Sequence, residues 1–295
     1  MARKKYNPDY GFLEEYKEDL EEIELENLLR QKKLKGQYRT DTAKAGDQLT
    51  LNIYPAFAAW DFTQRKKKEK ETAEAQKKVN RTHAQRKLEM LCAANFTDKD
   101  YWTTFTFRDA DKPETYEEAK RLWKNFLIRV RRYRKNKGLG SLKYIAVLEL
   151  AGERPHFHCI MSGDMNRDDL ENLWGYGERN QVRRIDPDPD KHMAGIVAYI
   201  SKDPKGSKRW FQSKGLKKPQ ITTSLKKFSR RTVTKMVLNH ADLEEAVKKI
   251  HPDYKYVDSE LKINPYNGGA YIYVRMARIQ KRSESRTRKL YHSRK

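Results

Sequence analysis

The chain has 295 residues, with 64 Lys or Arg against 41 Asp or Glu, a formal net charge of +23 at pH 7. That length suits one or two domains with tails, and an aromatic content of 11% argues against wholesale disorder. Two cysteines, Cys92 and Cys159, exclude a disulfide scaffold and fit a reducing cytosol; no apolar run approaches the ~18 residues of a membrane span, and the basic opening offers no signal-peptide core. An excess of positive charge this large calls for a polyanionic partner, nucleic acid by default, and a protein that merely packs on nucleic acid is the plainest version of that reading.

In chain order, residues 14–26 hold eight acids against one Lys and carry a loose apolar stripe, which predicts an acidic helix ending near Gly36. Residues 49–57 alternate as a short strand, and 63–92 read as a basic helix with a late apolar cluster at Leu88, Met90 and Leu91. Tyr101 to Phe107 forms a strand with Phe105 and Phe107 on one face and Thr104 and Thr106 on the other. Pro113 opens a helix to about Asn136 with the stripe Ala119, Leu122, Phe126, Val130 and Tyr133. Strands follow at 143–150 and 154–163, then a short helix capped by Asn166, a strand at 181–185, and a helix capped by Asp190 and running to about Lys202. From Lys202 to Lys235 there are twelve Lys or Arg and one acid, Asp203, with Trp210, Phe211 and Phe228 interleaved. Residues 232–250 read as a helix, two strands follow near 255–263 and 270–279 across a Pro-Asn-Gly-rich turn, and the stretch from Arg275 becomes a basic tail.

Two constellations carry chemistry. On a strand, positions i and i+2 share a face, so His156 and His158 point the same way and can meet one divalent ion, while Phe157, Cys159 and Met161 turn toward the helices. Two nitrogens need an acidic third ligand. Glu149 ends the preceding strand, and a hairpin of this length sets it across from the start of the histidine strand; Glu153, in the turn, is the competing carboxylate. Two imidazoles and one carboxylate suit Mg²⁺ or Mn²⁺ in a phosphoryl-transfer setting and do not exclude Zn²⁺. The second constellation is Tyr199 and Lys202, neighbours at i and i+3 on a helix, where a cation lies close to a phenol. A phenol with a pKa of ~10 needs such help to act as a nucleophile at neutral pH. Taken alone, His156 and His158 read as two half-exposed sheet histidines, and Tyr199 with Lys202 as a boundary tyrosine beside a surface lysine.

Taken in order, the Thr/Phe-rich strand at 102–107, the His-hydrophobe-His motif at His156 to His158 and the Tyr-x-x-Lys motif at Tyr199 to Lys202 resemble the HUH endonuclease superfamily. Within it they are similar to single-tyrosine rolling-circle replication initiators (Rep proteins) of phages, plasmids and integrative elements of Gram-positive bacteria. The resemblance implies an α+β fold, a central antiparallel sheet with helices packed on one face, with a helical N-terminal extension and a basic C-terminal extension. The expected division is 1–95, a charged and mostly helical extension; 96–225, the endonuclease domain; and 226–295, a C-terminal helix and β-hairpin with basic tail. The resemblance also implies that His156, His158 and, by location, Glu149 hold a divalent metal, Mg²⁺ or Mn²⁺, and that Tyr199 attacks the scissile phosphate with Lys202 as the motif lysine. The product would be a 5′-phosphotyrosine and a free 3′-hydroxyl that primes synthesis. Expected partners are single-stranded or locally melted origin DNA, a separate helicase (the chain has no phosphate-binding Gly-rich loop) and a host polymerase, in the bacterial cytoplasm and with no membrane. Lys205, Lys208, Arg209, Trp210, Lys214, Lys217 and Lys218 form the expected DNA contact, combining phosphate-binding bases with a stacking ring. His192, seven residues before Tyr199, is read as lying on the same helical face, in contact with surface or DNA and not with metal. The competing readings are a transposase or relaxase of the same superfamily and a non-catalytic basic nucleic-acid-binding protein.

Overall fold

Strand β3 (Tyr101–Thr106) alternates buried and half-buried residues, as an aromatic and β-branched segment between two layers must. It lies in a five-stranded antiparallel sheet of order β6-β3-β5-β4-β7, formed with β4 (Tyr144–Glu149), β5 (His156–Met161), β6 (Gln181–Arg184) and the two-residue β7 (Phe211–Gln212). The computed structural model describes residues 37–56, 74–150, 155–177, 180–188, 192–200, 209–264 and 268–279. The predicted acidic N-terminal helix and the tail beyond Ile279 lie outside them. Among the described residues, six helices and two antiparallel sheets make an α+β protein.

Helices lie on both faces of this central sheet. Helix α2 (Tyr116–Asn136) starts where Thr115 accepts from the Glu118 backbone N–H, and it buries Ala119, Trp123, Phe126, Leu127 and Val130. With α3 (Arg167–Trp174), capped by Asn166 as expected, it closes an aromatic core of Phe105, Trp123, Phe126, Phe157 and Trp174. Trp123 and Phe157 stack with centroids 4.7 Å apart. Phe157, Cys159 and Met161 face this core, as their alternation predicts. The opposite face is covered by the end of α1 (Glu74–Ala93) and by α4 (Ala194–Ile200), which bury Leu88, Leu91, Cys92, Val197 and Ile200 against Ile145, Val147 and Ile160. The one-sided layering expected from the resemblance is therefore extended by α1, whose late apolar cluster supplies the extra cover.

A second five-stranded sheet, of order β8-β1-β2-β10-β9, goes beyond the single sheet expected from the sequence. It gathers β1 (Tyr38–Ala45), β2 (Gln48–Pro55), β8 (Gln220–Ser224), β9 (Tyr254–Ile263) and β10 (Ala270–Arg278). Gly46 takes φ +55° in the tight β1–β2 turn, a backbone conformation that glycine adopts without a Cβ penalty. Helices α5 (Arg230–Leu238) and α6 (His240–Ile250) cover one face, burying Val233, Met236, Val237, Leu243 and Val247 against Leu49, Leu51, Ile53, Ile272 and Val274. The predicted single helix over 232–250 is thus two, broken at Asn239, whose side chain caps the second by accepting from the Ala241 N–H. The predicted basic tail begins later than Arg275, because Arg275 to Arg278 belong to β10.

Helix α1 joins the two sheets. Its Glu89 is 2% exposed and meets Arg275 Nε at 3.2 Å and the Gln48 amide, while Arg275 also binds Asp258 at 3.0 Å. One turn earlier, Arg86 pairs with Glu260 at 2.6 Å and lies over the Tyr273 ring. Burial pushes the Glu89 carboxyl up and Arg275 pulls back only part of that shift. Arg275 itself is held firmly charged by its carboxylate neighbours. No helix among the described residues is long and apolar enough to cross a membrane.

Candidate active site

Hairpin register builds the site. Strands β4 and β5 pair with Glu149 opposite His156 and Val147 opposite His158, and β3 sets Thr104 opposite His158 on the other side. Because side chains alternate, Glu149, His156, His158, Thr104 and Trp102 share one face. The Nε2 atoms of His156 and His158 are 3.0 Å apart, and each lies 3.5 Å from Glu149 Oε2. The competing Glu153 lies outside the described residues.

The set fits a divalent cation. Three donors bound side by side to an ion at ~2.1 Å are separated by about 3 Å, and the separations in this site are close to that. His158 is buried, its Nδ1 meets Thr104 Oγ1 at 3.2 Å, and with the proton on Nδ1 the ring donates to that hydroxyl and turns a free Nε2 toward Glu149. Burial first, and then His156, push the His158 imidazole down to about 4, so it is neutral and able to act as a ligand across the physiological range. Among the described residues this is the one cluster of three His, Cys, Asp or Glu side chains suited to a metal.

Tyr199 stands over the triad. Val197 and Ile200 anchor the short α4 in the apolar layer, leaving Tyr199 56% exposed. Its ring lies edge-to-face with His158, centroids 5.0 Å apart, and with Trp102 at 5.6 Å. Trp102 is a site residue that the motifs do not single out; its alternation with Thr104 is the signal that could have found it. Lys202, Lys205 and Lys208 lie outside the described residues. Arg209, Lys214, Lys217 and Lys218 are exposed. Trp210 is part-buried on the apolar layer, with its Nε1 donating to Gln212. The Lys217 backbone is pinned to Asn95 by two hydrogen bonds. His192 is not on the tyrosine helix, which begins at Ala194; it bridges Asp188 through the backbone at φ 47°.

A cleft of about 690 Å³ opens at the opposite end of the central sheet, among Asp100, Arg134, Lys143, Asp164 and Arg184. Its bases are largely matched internally: Arg134 grips Asp164 at 2.5 Å, and Arg184 donates to backbone carbonyls. The chemistry of proton and metal donors is gathered at the triad and not in this cleft.

An antiparallel sheet carrying two imidazoles, a carboxylate and a tyrosine on one face, in an α+β chain, is consistent with an HUH/RRM-like fold. Residues 100–204 match the family of replication-associated proteins of the ORF2 type, consistent with a rolling-circle replication initiator. No curated protein and no solved structure matches the chain.

Proposed function

We propose that this protein nicks one strand of DNA at a replication origin, with Tyr199 as nucleophile, and so initiates rolling-circle replication. The observation that carries the reading is the convergence of Tyr199 with Glu149, His156 and His158, its ring 5.0 Å from that of His158, inside the segment that matches replication-associated proteins.

Glu149, His156 and His158 would hold the ion, Mg²⁺ or Mn²⁺, which when bound supplies Lewis-acid polarisation of the scissile phosphate. Tyr199 Oη forms a bond to phosphorus as the bond from phosphorus to the 3′ oxygen breaks. The phenol proton leaves, and the departing 3′ oxygen takes up a proton. The strand is then joined to the protein by a 5′-phosphotyrosine, and attack by a 3′-hydroxyl on that linkage reverses the step without ATP. Thr104 fixes the His158 tautomer, and Trp102 with His158 holds the Tyr199 ring in a narrow angular range. Lys202 follows Tyr199 by one helical turn and is assigned to the transition-state charge. Lys205, Lys208, Arg209, Lys214, Lys217 and Lys218 track phosphates, and Trp210 offers a stacking face at the edge of the apolar layer. Unwinding and synthesis fall to a separate helicase and a polymerase, with the reaction in the cytoplasm.

The test is a nicking assay on single-stranded oligonucleotides with Mn²⁺. A cleaved strand bearing covalently attached protein, lost on adding chelator, is the expected result; ion-dependent binding without any cleavage would leave a non-catalytic DNA-binding protein.

A further inference from the structure

Much of the basic charge elsewhere is internally neutralised. On α2, Lys120 and Arg121 pair with Glu117 and Glu118, and Arg134 with Asp164; Arg86, Arg275 and Arg278 each meet a carboxylate. The segment from 214 to 235 differs, holding eight Lys or Arg and no acid. Lys218, Lys226, Arg231 and Lys235 are exposed, and none of them forms an ion pair among the described residues.

The fold draws these bases together on the second sheet. Strand pairing sets Lys44 of β1 opposite Gln220 of β8, two residues after Lys218. After β8 the chain turns back, and Lys227 Nζ donates to Thr42 Oγ1 at 2.6 Å, on the same face of β1 as Lys44. Arg231 and Lys235 then lie four residues apart on one side of α5, about 6 Å along its axis. His251, at the end of α6, feels both Lys227 and Lys44, and its buried Nε2 has no hydrogen-bond partner. Like charges are crowded here with no carboxylate to relieve them, as at a site made for an external anion.

The kind of anion follows from what the patch lacks. Single-strand sites combine bases with exposed aromatic rings on which nucleobases stack. Between 214 and 235 the sole aromatic is Phe228, and it is 3% exposed, whereas Tyr199 and Trp210 lie by the triad. Charge and hydroxyls without stacking rings suit a backbone whose bases are already paired.

We propose that the β8–α5 face, with Lys44, binds the phosphate backbone of duplex DNA and anchors the protein beside the strand delivered to Tyr199. This rests on the reading of the chain as acting on DNA. It also assigns that reading two surfaces, an aromatic one for the single strand and a purely basic one for the duplex.

The test uses the full chain and K226Q/R231Q/K235Q, with unfolding midpoints compared, and two probes: a duplex of arbitrary sequence and a short oligo-dT. Removing three phosphate contacts should flatten the log K against log salt slope for the duplex by about 3 and weaken binding about 10-fold or more at ~0.1 M salt, with oligo-dT affinity within about twofold of the parent. A K44Q/K218Q variant should repeat the pattern more weakly. An unchanged duplex slope in both variants overturns the proposal, and an equal loss on both probes overturns the duplex assignment. The nicking reading fails or stands separately, on covalent adduct formation at Tyr199, which neither titration measures.

Discussion

The Tyr199 ring meets the His158 ring edge-to-face, with planes at 71° and centroids 5.0 Å apart, so nucleophile and metal-facing imidazole share one contact. Tyr199→Phe keeps that contact and removes only the oxygen. We expect it to abolish the covalent protein–DNA adduct on a denaturing gel while strand binding stays within about twofold, because the phenyl ring still packs. An adduct of undiminished yield would reassign the nucleophile.

Trp102 closes the other side of the Tyr199 ring. Trp102→Ala should slow adduct formation about 10–100-fold through a poorly aligned phenol and leave oligonucleotide affinity near the parent's. Single-turnover kinetics at saturating DNA separate the two effects.

Thr104 lies behind His158 and offers no atom to the ion. Loss of such supporting partners weakens metal affinity about 10–100-fold, so Thr104→Val should raise the Mn²⁺ concentration for half-maximal nicking by that factor. His156→Ala with His158→Ala should remove ion dependence and activity together. Calorimetric titration of Mn²⁺ reads both variants without DNA.

How much of this was legible follows from particular residues. The alternation of Tyr101 to Phe107 and of His156 to Met161 fixed which faces look inward, and the hairpin length brought Glu149 opposite His156. Strand β1 was hidden because Thr40, Asp41, Thr42 and Lys44 lack an apolar alternation; Thr40 and Thr42 are buried polar residues whose neighbours come from β2 and β8, the latter some 180 residues on. β7 is two residues long, too short for any pattern. The α5–α6 break turns on one cap, Asn239, inside a continuous helical stripe. Local period reveals a strand's faces but not its partners.

Glu89 and Arg275 tie α1 to β10 at a buried point. Glu89→Ala leaves Arg275 short of one carboxylate and should cost about 3–5 kcal/mol in denaturant unfolding, while replacing both by Met should recover most of that. Equal losses in the single and double variants would mean that packing, not charge, governs the site.

The pH response should carry the mark of two histidines. Burial, with Lys227 and Lys44, pushes His251 down to about 4, and His158 is pushed down to about 4 as well. Each binds its proton more readily unfolded, near 6.5, so the stability each contributes is full above that value and is lost as pH falls toward about 4. His251→Gln should therefore lose less stability than the parent between pH 7 and pH 5, with the remaining slope traceable to His158. Identical slopes in urea unfolding would remove His251 from the account.

Strand β2 sits between β1 and β10, and more than 200 residues of chain separate it from the second of these neighbours. During synthesis, the strands of the central sheet emerge as one uninterrupted stretch from Tyr101 to Gln212, and Tyr199 can meet His158 while β9 and β10 are still to come. The later sheet must wait with its middle strand half-paired. Arrival of β10 completes it and, through Arg275, fastens α1 over the earlier one. A nascent chain would thus hold an assembled tyrosine centre before the duplex-gripping face beside it has closed, and translation order would prevent the anchor from engaging DNA ahead of the blade.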